Sequence, residues 1–268
     1  MGLASGLNAV VTGPAGAPVL VFLHGFLCGQ AMWRHVVPAF EGEYQVLLLD
    51  LPCSGDADPV TYDAERHASL QGYADDVLRV LDELGLDDVT IVGHSVSSMI
   101  AVLAHVASPS TVSRLVLVAP SARYVDEGDY RGGFTTSEIE ELLGVMERNH
   151  LGWQGPLSGL VAGEGHDASR AELEDSFCRA RPEIAAQFAA VTFRGDNRSD
   201  LQRVTAPTLV LQVRDDAIAP LTAGQFVHQH ITGSQLQVLE TFGHSPHLSD
   251  PGDVVAAIRG FLSVPVPS

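Results

Sequence analysis

The sequence is poor in cysteine and has no long apolar run. Its three cysteines, Cys28, Cys53 and Cys178, are an odd number and their spacings match no metal-binding motif, so we expect no disulfide framework and a reducing compartment. No uncharged apolar stretch approaches the ~18 residues that a membrane-spanning helix needs. The N-terminal segment MGLASGLNAVVTGPAGAP lacks the basic and apolar regions of a signal peptide. We therefore expect a cytoplasmic protein.

Basic residues are also scarce. The 268 residues contain 15 basic and 33 acidic side chains, for a net charge of −18. A chain this acidic repels phosphate backbones and anionic lipids, which argues against nucleic-acid and membrane partners. Neither a P-loop nor a dinucleotide-binding glycine motif is present, so no cofactor is expected. His228 and His230 lie two apart in a helical stretch and point away from each other, so we predict solvent-exposed histidines and no metal site.

Apolar residues make up 46% of the chain and occur in short runs separated by helical patterns. Near-continuous apolar runs are typical of strands buried on both faces of a parallel sheet. Helical patterns follow several of the runs, at residues 70–84, 95–106 and 251–262. This alternation predicts an α/β fold with a mostly parallel, doubly wound sheet. The predicted strands are residues 19–24, 44–50, 89–93, 113–118, 207–213 and 235–240.

The alternation stops between residues 123 and 198, where no strand pattern occurs. Ser137 and Glu140 fit a capping box at the start of the first helix predicted there. A purely helical insertion is expected to cover the carboxyl edge of the sheet, where open α/β sheets bind ligands. We therefore predict a core of residues 1–122 and 199–268 with a four-helix cap of residues 123–198. The cap helices are predicted at residues 136–149, 153–161, 171–179 and 182–193.

The segment Gly93-His94-Ser95-Val96-Ser97 joins a predicted strand to a predicted helix. This is the setting of a nucleophile elbow, in which a strained turn presents a serine hydroxyl above the sheet. The flanking positions must be small; Gly93 meets this need, and Ser97 stands where glycine is usual. The following helix directs its N-terminal N–H groups toward developing negative charge. Ser95 is therefore the predicted nucleophile.

A serine nucleophile needs a general base and a residue that orients the base, and after an elbow they follow in the order acid, then histidine. Asp215 and Asp216 follow one late predicted strand, and His244 and His247 follow the next. We prefer His244 as the base because it lies nearer the strand and follows glycine. Asp216 is preferred to Asp215 as the orienting acid, although the pattern leaves both open. The unused members are expected to be surface loop residues.

An early His24-Gly25 pair follows the first strong strand and suits an oxyanion loop. The N–H groups of Phe26 and Val96 would bind the oxyanion, and His24 would pin the loop through hydrogen bonds. Cys28 beside this loop is expected to be a packed thiol. Large apolar residues of the cap would line a pocket for a small apolar ligand. The candidate pocket residues are Tyr124, Phe134, Leu142, Trp153, Leu157 and Phe193.

Five segments resemble one family. HGFLCGQAMW, GHSVSSMI, RYVDEGDYRGGF, RPEIAAQFAA and GHSPHLSDP are similar to segments of the RsbQ and karrikin–strigolactone receptor-like family, and the likeness covers nearly the whole chain. The resemblance implies an α/β-hydrolase fold with a four-helix cap over a hydrophobic pocket. It makes the serine at Ser97 expected, places the acid at Asp216 and the base at His244, and adds Ala217 to the pocket. Leu157 stands where the receptors have phenylalanine, so we expect a pocket of different shape.

Two functions fit these observations. The first is hydrolysis of a small apolar ester or lactone, such as a butenolide, through an acyl-enzyme on Ser95. The second, implied by the resemblance, is a ligand sensor with slow or single-turnover hydrolysis that signals to a partner such as a sensor phosphatase. Both functions keep the same Ser-His-Asp triad, so the sequence does not separate them. The elbow serine disfavours dehalogenases and epoxide hydrolases, which use aspartate there.

Overall fold

The computed structural model describes residues 2–52, 54–148, 152–163 and 165–264. In this part of the chain seven strands form one sheet: β1 (Val10–Thr12), β2 (Val19–Leu23), β3 (Gln45–Leu49), β4 (Val89–His94), β5 (Val112–Val118), β6 (Thr208–Asp215) and β7 (Gln235–Phe242). Their order across the sheet is β1-β3-β2-β4-β5-β6-β7. β1 pairs antiparallel with β3, and the other pairings are parallel. The predicted doubly wound, mostly parallel sheet is confirmed.

The α-helices of the described residues are α1 (Leu3–Gly6), α2 (Leu70–Leu84), α3 (Val96–Ala107), α4 (Thr136–Arg148), α5 (Gln154–Ala162), α6 (Asp167–Arg179), α7 (Pro182–Arg194), α8 (Leu221–His230), α9 (Pro246–Ser249) and α10 (Pro251–Leu262). Among them, no helix combines the length and apolar character that crossing a membrane requires. The predicted strand and helix ends agree within two residues except in α6, which begins four residues before the predicted start. Residue 149, the predicted end of α4, lies outside the described residues.

Strand β1 is the sheet element that the sequence pattern missed. It has only three residues, and both Val10 and Val11 are 41% exposed at the edge of the sheet. A short edge strand has no buried face, so it leaves no run of apolar residues to read. Five of the six predicted strands, by contrast, are mostly buried. The sixth, β7, lies at the opposite edge of the sheet, and Leu239 is its one buried residue.

The core consists of one apolar cluster on each face of the sheet. In β2, Leu20 and Phe22 join the cluster under α10 and residues 33–40, whereas Val21 and Leu23 join the cluster under α2 and α3. This division follows from the two-residue period of a strand. The cluster under α2 and α3 also contains residues of α4, α5, α6 and α7. These four helices therefore share their apolar core with the α2–α3 side of the sheet.

The four helices α4 to α7 lie between β5 and β6 in the chain. α4 packs against α7, where Arg194 and Glu140 form two hydrogen bonds of 2.9 and 2.6 Å, and α5 packs against α6. The capping-box prediction for α4 was wrong by two residues. Thr135 Oγ1 accepts from the Glu138 N–H at 3.3 Å, and Glu138 Oε2 accepts from the Thr135 N–H at 2.7 Å. The Glu140 side chain instead accepts hydrogen bonds from Arg194.

The parallel strands bring four loops to one edge of the sheet. The carboxyl ends of β2, β4, β6 and β7 share this edge, because neighbouring strands run in the same direction. The loops that follow these strands carry Phe26, Ser95, Asp216 and His244, in that order. Helices α5, α6 and α7 contribute side chains above the same edge.

Candidate active site

Ser95 occupies a strained turn between β4 and α3. Its φ is +57° and its ψ is −123°, a backbone conformation that non-glycine residues rarely adopt. The Ser95 N–H donates to the Val118 carbonyl at 2.8 Å, which holds the turn to β5. Gly93 is required because a Cβ there would lie 2.4 Å from the Ser97 carbonyl oxygen. The turn therefore has the geometry of a nucleophile elbow.

Ser97, which stands in the usual glycine position, has a structural partner of its own. Its side chain is fully buried, and its Oγ donates to the His24 carbonyl at 2.5 Å. This bond ties the first turn of α3 to the loop after β2. A small hydroxyl side chain thus serves this position as well as glycine, with an added link between two loops.

Ser95, His244 and Asp216 form a continuous chain of hydrogen bonds. His244 Nε2 lies 2.7 Å from Ser95 Oγ, and His244 Nδ1 lies 2.7 Å from Asp216 Oδ2. A carboxylate only accepts hydrogen bonds, so Nδ1 carries the hydrogen and Nε2 has a lone pair facing the serine. Asp216 Oδ1 accepts from the N–H groups of Ile218 and Ala219 at 2.8 and 3.0 Å. All three triad side chains are buried.

Asp215 and His247, the alternative candidates for acid and base, do not join this chain of hydrogen bonds. Asp215 is the last residue of β6 and is exposed. His247, in contrast, is fully buried, and its expected place in a surface loop was wrong. α9 turns its ring inward, between Trp33 at 4.5 Å and His94 at 4.4 Å between ring centres. Burial, reinforced by the charge of a protonated His244, lowers the pKa of His247 to about 3, so this ring stays neutral.

His94 connects the three loops around the triad, a role that the sequence analysis missed. Its Nε2–H donates to the His244 carbonyl at 2.7 Å, and both residues are buried. Gly25 approaches so closely that a Cβ there would lie 2.6 Å from His94 Nδ1. Burial lowers the pKa of His94 well below its ordinary value, so the ring stays neutral. No sequence signal marks this role, because any residue can stand before the nucleophile in an elbow.

The loop after β2 is held by the His24 side chain. His24 Nδ1–H donates to the Gly25 carbonyl at 2.8 Å, and Nε2 accepts from the Leu51 N–H at 2.9 Å. His24 thus has the structural role that was expected. Among the described residues the Phe26 N–H bonds no carbonyl or side chain, and the Val96 N–H is the first of α3, a position without a partner inside the helix. Both N–H groups are available at this edge of the sheet.

Cys28 lies in the same loop. Its thiol is buried and donates to the Phe26 carbonyl at 3.4 Å. Burial raises the pKa of this thiol to about 12, because the thiolate would lose its hydration. The expected packed, unreactive cysteine is therefore confirmed.

A small cavity of about 20 Å³ lies in front of Ser95, space for about one water molecule. Three aromatic rings of helices α6 and α7 close over it by packing on Phe26: the ring centres of Phe188, Phe193 and Phe177 lie 5.2, 5.8 and 6.2 Å from that of Phe26. The cavity is lined by Gly25, Phe26, Cys28, His94, Ser95, Tyr124, Leu157, Val161, Leu173, Phe177, Thr192, Phe193, Ile218, His244 and Ser245.

Tyr124, Leu157 and Phe193, three of the predicted pocket residues, line this cavity. The Tyr124 hydroxyl lies 3.5 Å from Ser95 Oγ, and burial raises the pKa of Tyr124 above its ordinary value. The other large candidates, Phe134, Leu142 and Trp153, lie farther out. They line a groove of about 330 Å³, here called the outer groove, which borders the cavity at Leu157, Phe193 and Ile218.

Ala217 was expected in the pocket but lies at the surface. The Asp216 side chain folds back onto the N–H groups of Ile218 and Ala219, and this turn points residue 217 outward. His228 and His230 are half-buried, not exposed as expected. His228 Nδ1 lies 2.9 Å from Ser234 Oγ and His230 Nδ1 lies 2.8 Å from the Phe226 carbonyl oxygen, so both rings have local partners.

Thr192 and Ser245 also line the cavity, and the sequence analysis named neither. Both are buried, and neither hydroxyl has a hydrogen-bond partner among the described residues. Their positions offered a signal: Ser245 directly follows the base His244, and Thr192 directly precedes the predicted pocket residue Phe193.

Helix α5 contacts His244 directly. The His244 N–H donates to the Val161 carbonyl at 2.8 Å. Gly243 makes this approach possible, because its φ is +85° and a Cβ there would lie 2.3 Å from the Ala162 carbonyl oxygen. The positions of α5 and of His244 are therefore linked through this contact.

A model of the alpha/beta hydrolase family matches residues 20–258 of this chain. The chain belongs to the alpha/beta hydrolase family, and the α/β-hydrolase fold and the hydrolase class expected from the sequence are confirmed. Its described geometry, with an elbow serine at the carboxyl edge of a doubly wound sheet, agrees with that family.

The relatives define a group within the family. The chain is 34% identical to the strigolactone esterase D14 of Arabidopsis thaliana and 33% identical to the karrikin insensitive 2 receptor CA of Petunia hybrida, over 96% of each chain in both comparisons. Its structure matches a hydrolase of Oleispira antarctica with a TM-score of 0.94 and 35% identity, over 98% of this chain and 97% of that one. The chain is thus a karrikin–strigolactone receptor-like α/β hydrolase.

Proposed function

We propose that this protein is a serine hydrolase that cleaves a small apolar ester or lactone, butenolide-like, with Ser95 as nucleophile, His244 as general base and Asp216 as the orienting acid. The observation that carries this proposal is the pair of 2.7 Å contacts that joins Ser95 Oγ to His244 and His244 to Asp216. With its hydrogen on Nδ1, His244 presents the Nε2 lone pair that takes the serine proton.

The first half of the reaction forms an acyl-enzyme. Ser95 Oγ attacks the ester carbonyl while its proton passes to His244 Nε2, and Asp216 stabilises the resulting imidazolium. The tetrahedral intermediate then collapses, the C–O bond to the leaving group breaks, and His244 donates its proton to the departing alkoxide. In a lactone the released hydroxyl stays attached to the acyl group.

The negatively charged oxygen of the tetrahedral intermediate is stabilised by hydrogen-bond donors. The N–H groups of Phe26 and Val96 would supply them, and each such donor typically contributes about 3 kcal/mol of transition-state stabilisation. Because the raised pKa of Tyr124 keeps its hydroxyl protonated, this residue can donate to an oxygen bound beside Ser95.

Water completes the cycle. His244 takes a proton from a water molecule as its oxygen attacks the acyl carbon, and the second tetrahedral intermediate releases the acid product as the proton returns to Ser95 Oγ. No metal or cofactor enters these steps. The substrate is expected to be uncharged, since most of the cavity wall is apolar and burying an unpaired charge is costly.

Substrate entry requires movement of the helices above Ser95. A cavity of about 20 Å³ holds about one water molecule, so an ester fits only when the packing of Phe177, Phe188 and Phe193 on Phe26 loosens. This supports the division into a core of residues 1–122 and 199–268 and a movable cap of residues 123–198. We also assign Leu157, Phe193 and the outer groove to the entry path.

A second candidate is a ligand sensor that turns over slowly or once and signals to a partner protein, such as a sensor phosphatase in the cytoplasm. Two observations favour it: some relatives carry the name of receptors, and the His244 N–H is bonded to Val161 in the cap. Through this bond, covalent occupation of Ser95 would change the position of α5 and hence the outer surface.

The test compares hydrolysis of p-nitrophenyl acetate and a simple butenolide by the wild type, Ser95→Ala and the control Ser158→Ala. Ser158 is a buried serine of α5 whose hydroxyl donates to the Gly155 carbonyl at 2.9 Å, so its loss should spare activity. Sustained turnover that only Ser95→Ala abolishes supports the hydrolase. A burst that stops with a stable mass increase on Ser95 supports the sensor. Turnover retained in Ser95→Ala contradicts both.

A further inference from the structure

Two residues that line the substrate cavity carry unpartnered hydroxyls. Thr192 on α7 is 4% exposed and Ser245, next to the base, is 3% exposed. Both residues line the cavity in front of Ser95, and neither hydroxyl oxygen has a hydrogen-bond partner among the described residues. One hydroxyl belongs to the cap and the other to the core.

Other buried hydroxyls beside the nucleophile are satisfied. Ser97 Oγ donates to the His24 carbonyl at 2.5 Å, and Ser98 Oγ donates to the Gly93 carbonyl at 2.8 Å. A helical threonine can also bond a carbonyl of the preceding turn, yet Thr192 does not. Since buried polar groups in folded proteins are as a rule hydrogen-bonded, two open hydroxyls in one cavity indicate a partner that arrives with the ligand.

The surroundings make the choice of ligand consequential. The cavity wall beside these hydroxyls is apolar, with Leu157, Leu173, Phe177 and Ile218 among its members. A purely hydrocarbon group bound in this cavity would leave both hydroxyls without a partner, whereas an oxygen on the substrate would supply one.

We propose that Thr192 and Ser245 form an oxygen-recognising subsite, and that the substrate is an ester or lactone with a second hydrogen-bonding oxygen, a hydroxyl or a carbonyl, apart from the scissile ester. This inference rests on the proposed function, because the subsite lies in the same cavity as Ser95. It identifies the substrate class more closely than an apolar ester. The substrate oxygen is held between the cap and the loop that carries the base.

Isosteric substrate pairs test this subsite. One pair is p-nitrophenyl 3-hydroxybutanoate and p-nitrophenyl 3-methylbutanoate, and the other is α-hydroxy- and α-methyl-γ-butyrolactone. The wild type is expected to favour the hydroxyl member of at least one pair by about tenfold or more in kcat/KM, because sites built around a hydroxyl reject analogues that lack it. Thr192→Val and Ser245→Ala should each reduce that preference by about tenfold.

Stability separates recognition from a structural role. Thr192→Val keeps the shape and removes an unsatisfied hydroxyl, so its melting temperature should rise or stay unchanged. The control is Thr208→Val, a buried threonine whose Oγ1 donates to the Ala206 carbonyl at 2.9 Å, outside the cavity. It should lower the melting temperature and leave the substrate preference intact. A wild type that favours the methyl members, or a preference that survives both subsite variants, overturns the proposal.

A failure of the proposed function can be told apart from a failure of the subsite. If the wild type hydrolyses neither pair, binding is measured in Ser95→Ala as the shift in melting temperature caused by each lactone. A larger shift with the hydroxyl lactone that disappears in Ser95→Ala/Thr192→Val supports the subsite without hydrolysis. Equal shifts with both lactones overturn it.

Discussion

Replacing Asp216 with asparagine tests the triad at a single atom. Asp216 Oδ1 accepts from two N–H groups, those of Ile218 and Ala219, while Oδ2 faces His244 Nδ1. Asparagine has one amide oxygen, and it must take the Oδ1 position. An NH₂ group there would face the N–H groups of Ile218 and Ala219, which are donors themselves. The NH₂ group then faces His244, and Nδ1 has to become an acceptor. His244 Nε2 consequently carries the hydrogen and cannot take the proton of Ser95.

The expected loss in kcat is about 10⁴-fold, the size found when a serine–histidine–aspartate site is forced into the wrong histidine tautomer. The fold should hardly change, because both backbone N–H groups keep an acceptor. Asp216→Ala offers a contrast in stability. It leaves two buried N–H groups unpaired at about 1–3 kcal/mol each, which lowers the melting temperature by several degrees in a chain of this length.

The assay is kcat and the melting temperature of Asp216→Asn beside Asp215→Asn. The Asp215→Asn substitution removes the same charge one residue away. The Asp215 side chain is exposed and makes no contact with His244 in the described structure. The Asp215→Asn variant should keep activity within about twofold, as is usual for surface substitutions. An Asp216→Asn enzyme within tenfold of the wild type, or a comparable loss in Asp215→Asn, would refute the reasoning.

The remaining predictions concern the groups around the triad. His94→Phe should lower kcat at least tenfold with little change in KM, since the His244 carbonyl loses its donor. His94→Gln, with an amide NH₂ near the Nε2 position, should recover part of it, and equal kcat for the two variants contradicts this positioning role. His94 and His247 stay neutral in the folded protein, but in the unfolded chain they gain protons below pH ~6.5. The free energy of unfolding should therefore fall from pH 7 to pH 5, by up to about 1.4 kcal/mol per pH unit for each histidine. Denaturant titrations of wild type and His247→Leu measure this slope, which should be shallower in the variant; identical slopes count against it. Gly243→Ala should reduce both melting temperature and kcat, because its Cβ would lie 2.3 Å from the Ala162 carbonyl oxygen, and a variant with wild-type values of both would show that this contact yields freely.

The meeting of the triad residues was predictable because a parallel sheet places its strand ends together. Apolar stretches in the sequence identified β4, β6 and β7, and each candidate side chain follows soon after one of them. Parallel strands share one carboxyl edge, so residues 149 positions apart in the chain, Ser95 and His244, come within 2.7 Å. The strand pattern alone left Asp215 and Asp216 open, and the family resemblance pointed to Asp216. In the structure, the turn at Ile218 shows that the Asp216 carboxylate faces inward.

The direction of side chains in helices and turns was not predictable in the same way. His247 is the second residue of α9, and whether its ring faces water or Trp33 depends on the rotation of that helix against its neighbours. Leu142 and Phe193 belong to two cap helices that pack on each other, yet only Phe193 reaches the cavity beside Ser95. The spacing of apolar residues shows that these helices are amphipathic, but tertiary packing decides which apolar residues meet the ligand.

In the proposed reaction, the closed cavity and the bond between His244 and Val161 act against each other. The triad is aligned when α5 lies against the loop of the base, because the His244 N–H then has its partner in the cap. In that arrangement the space before Ser95 is about 20 Å³, too small for an ester. Admission of substrate therefore requires loosening the helices that help to hold the base. If the cap recloses and opens quickly, the site turns over as an esterase; if it stays closed over the acyl group, the same atoms make a long-lived signalling state.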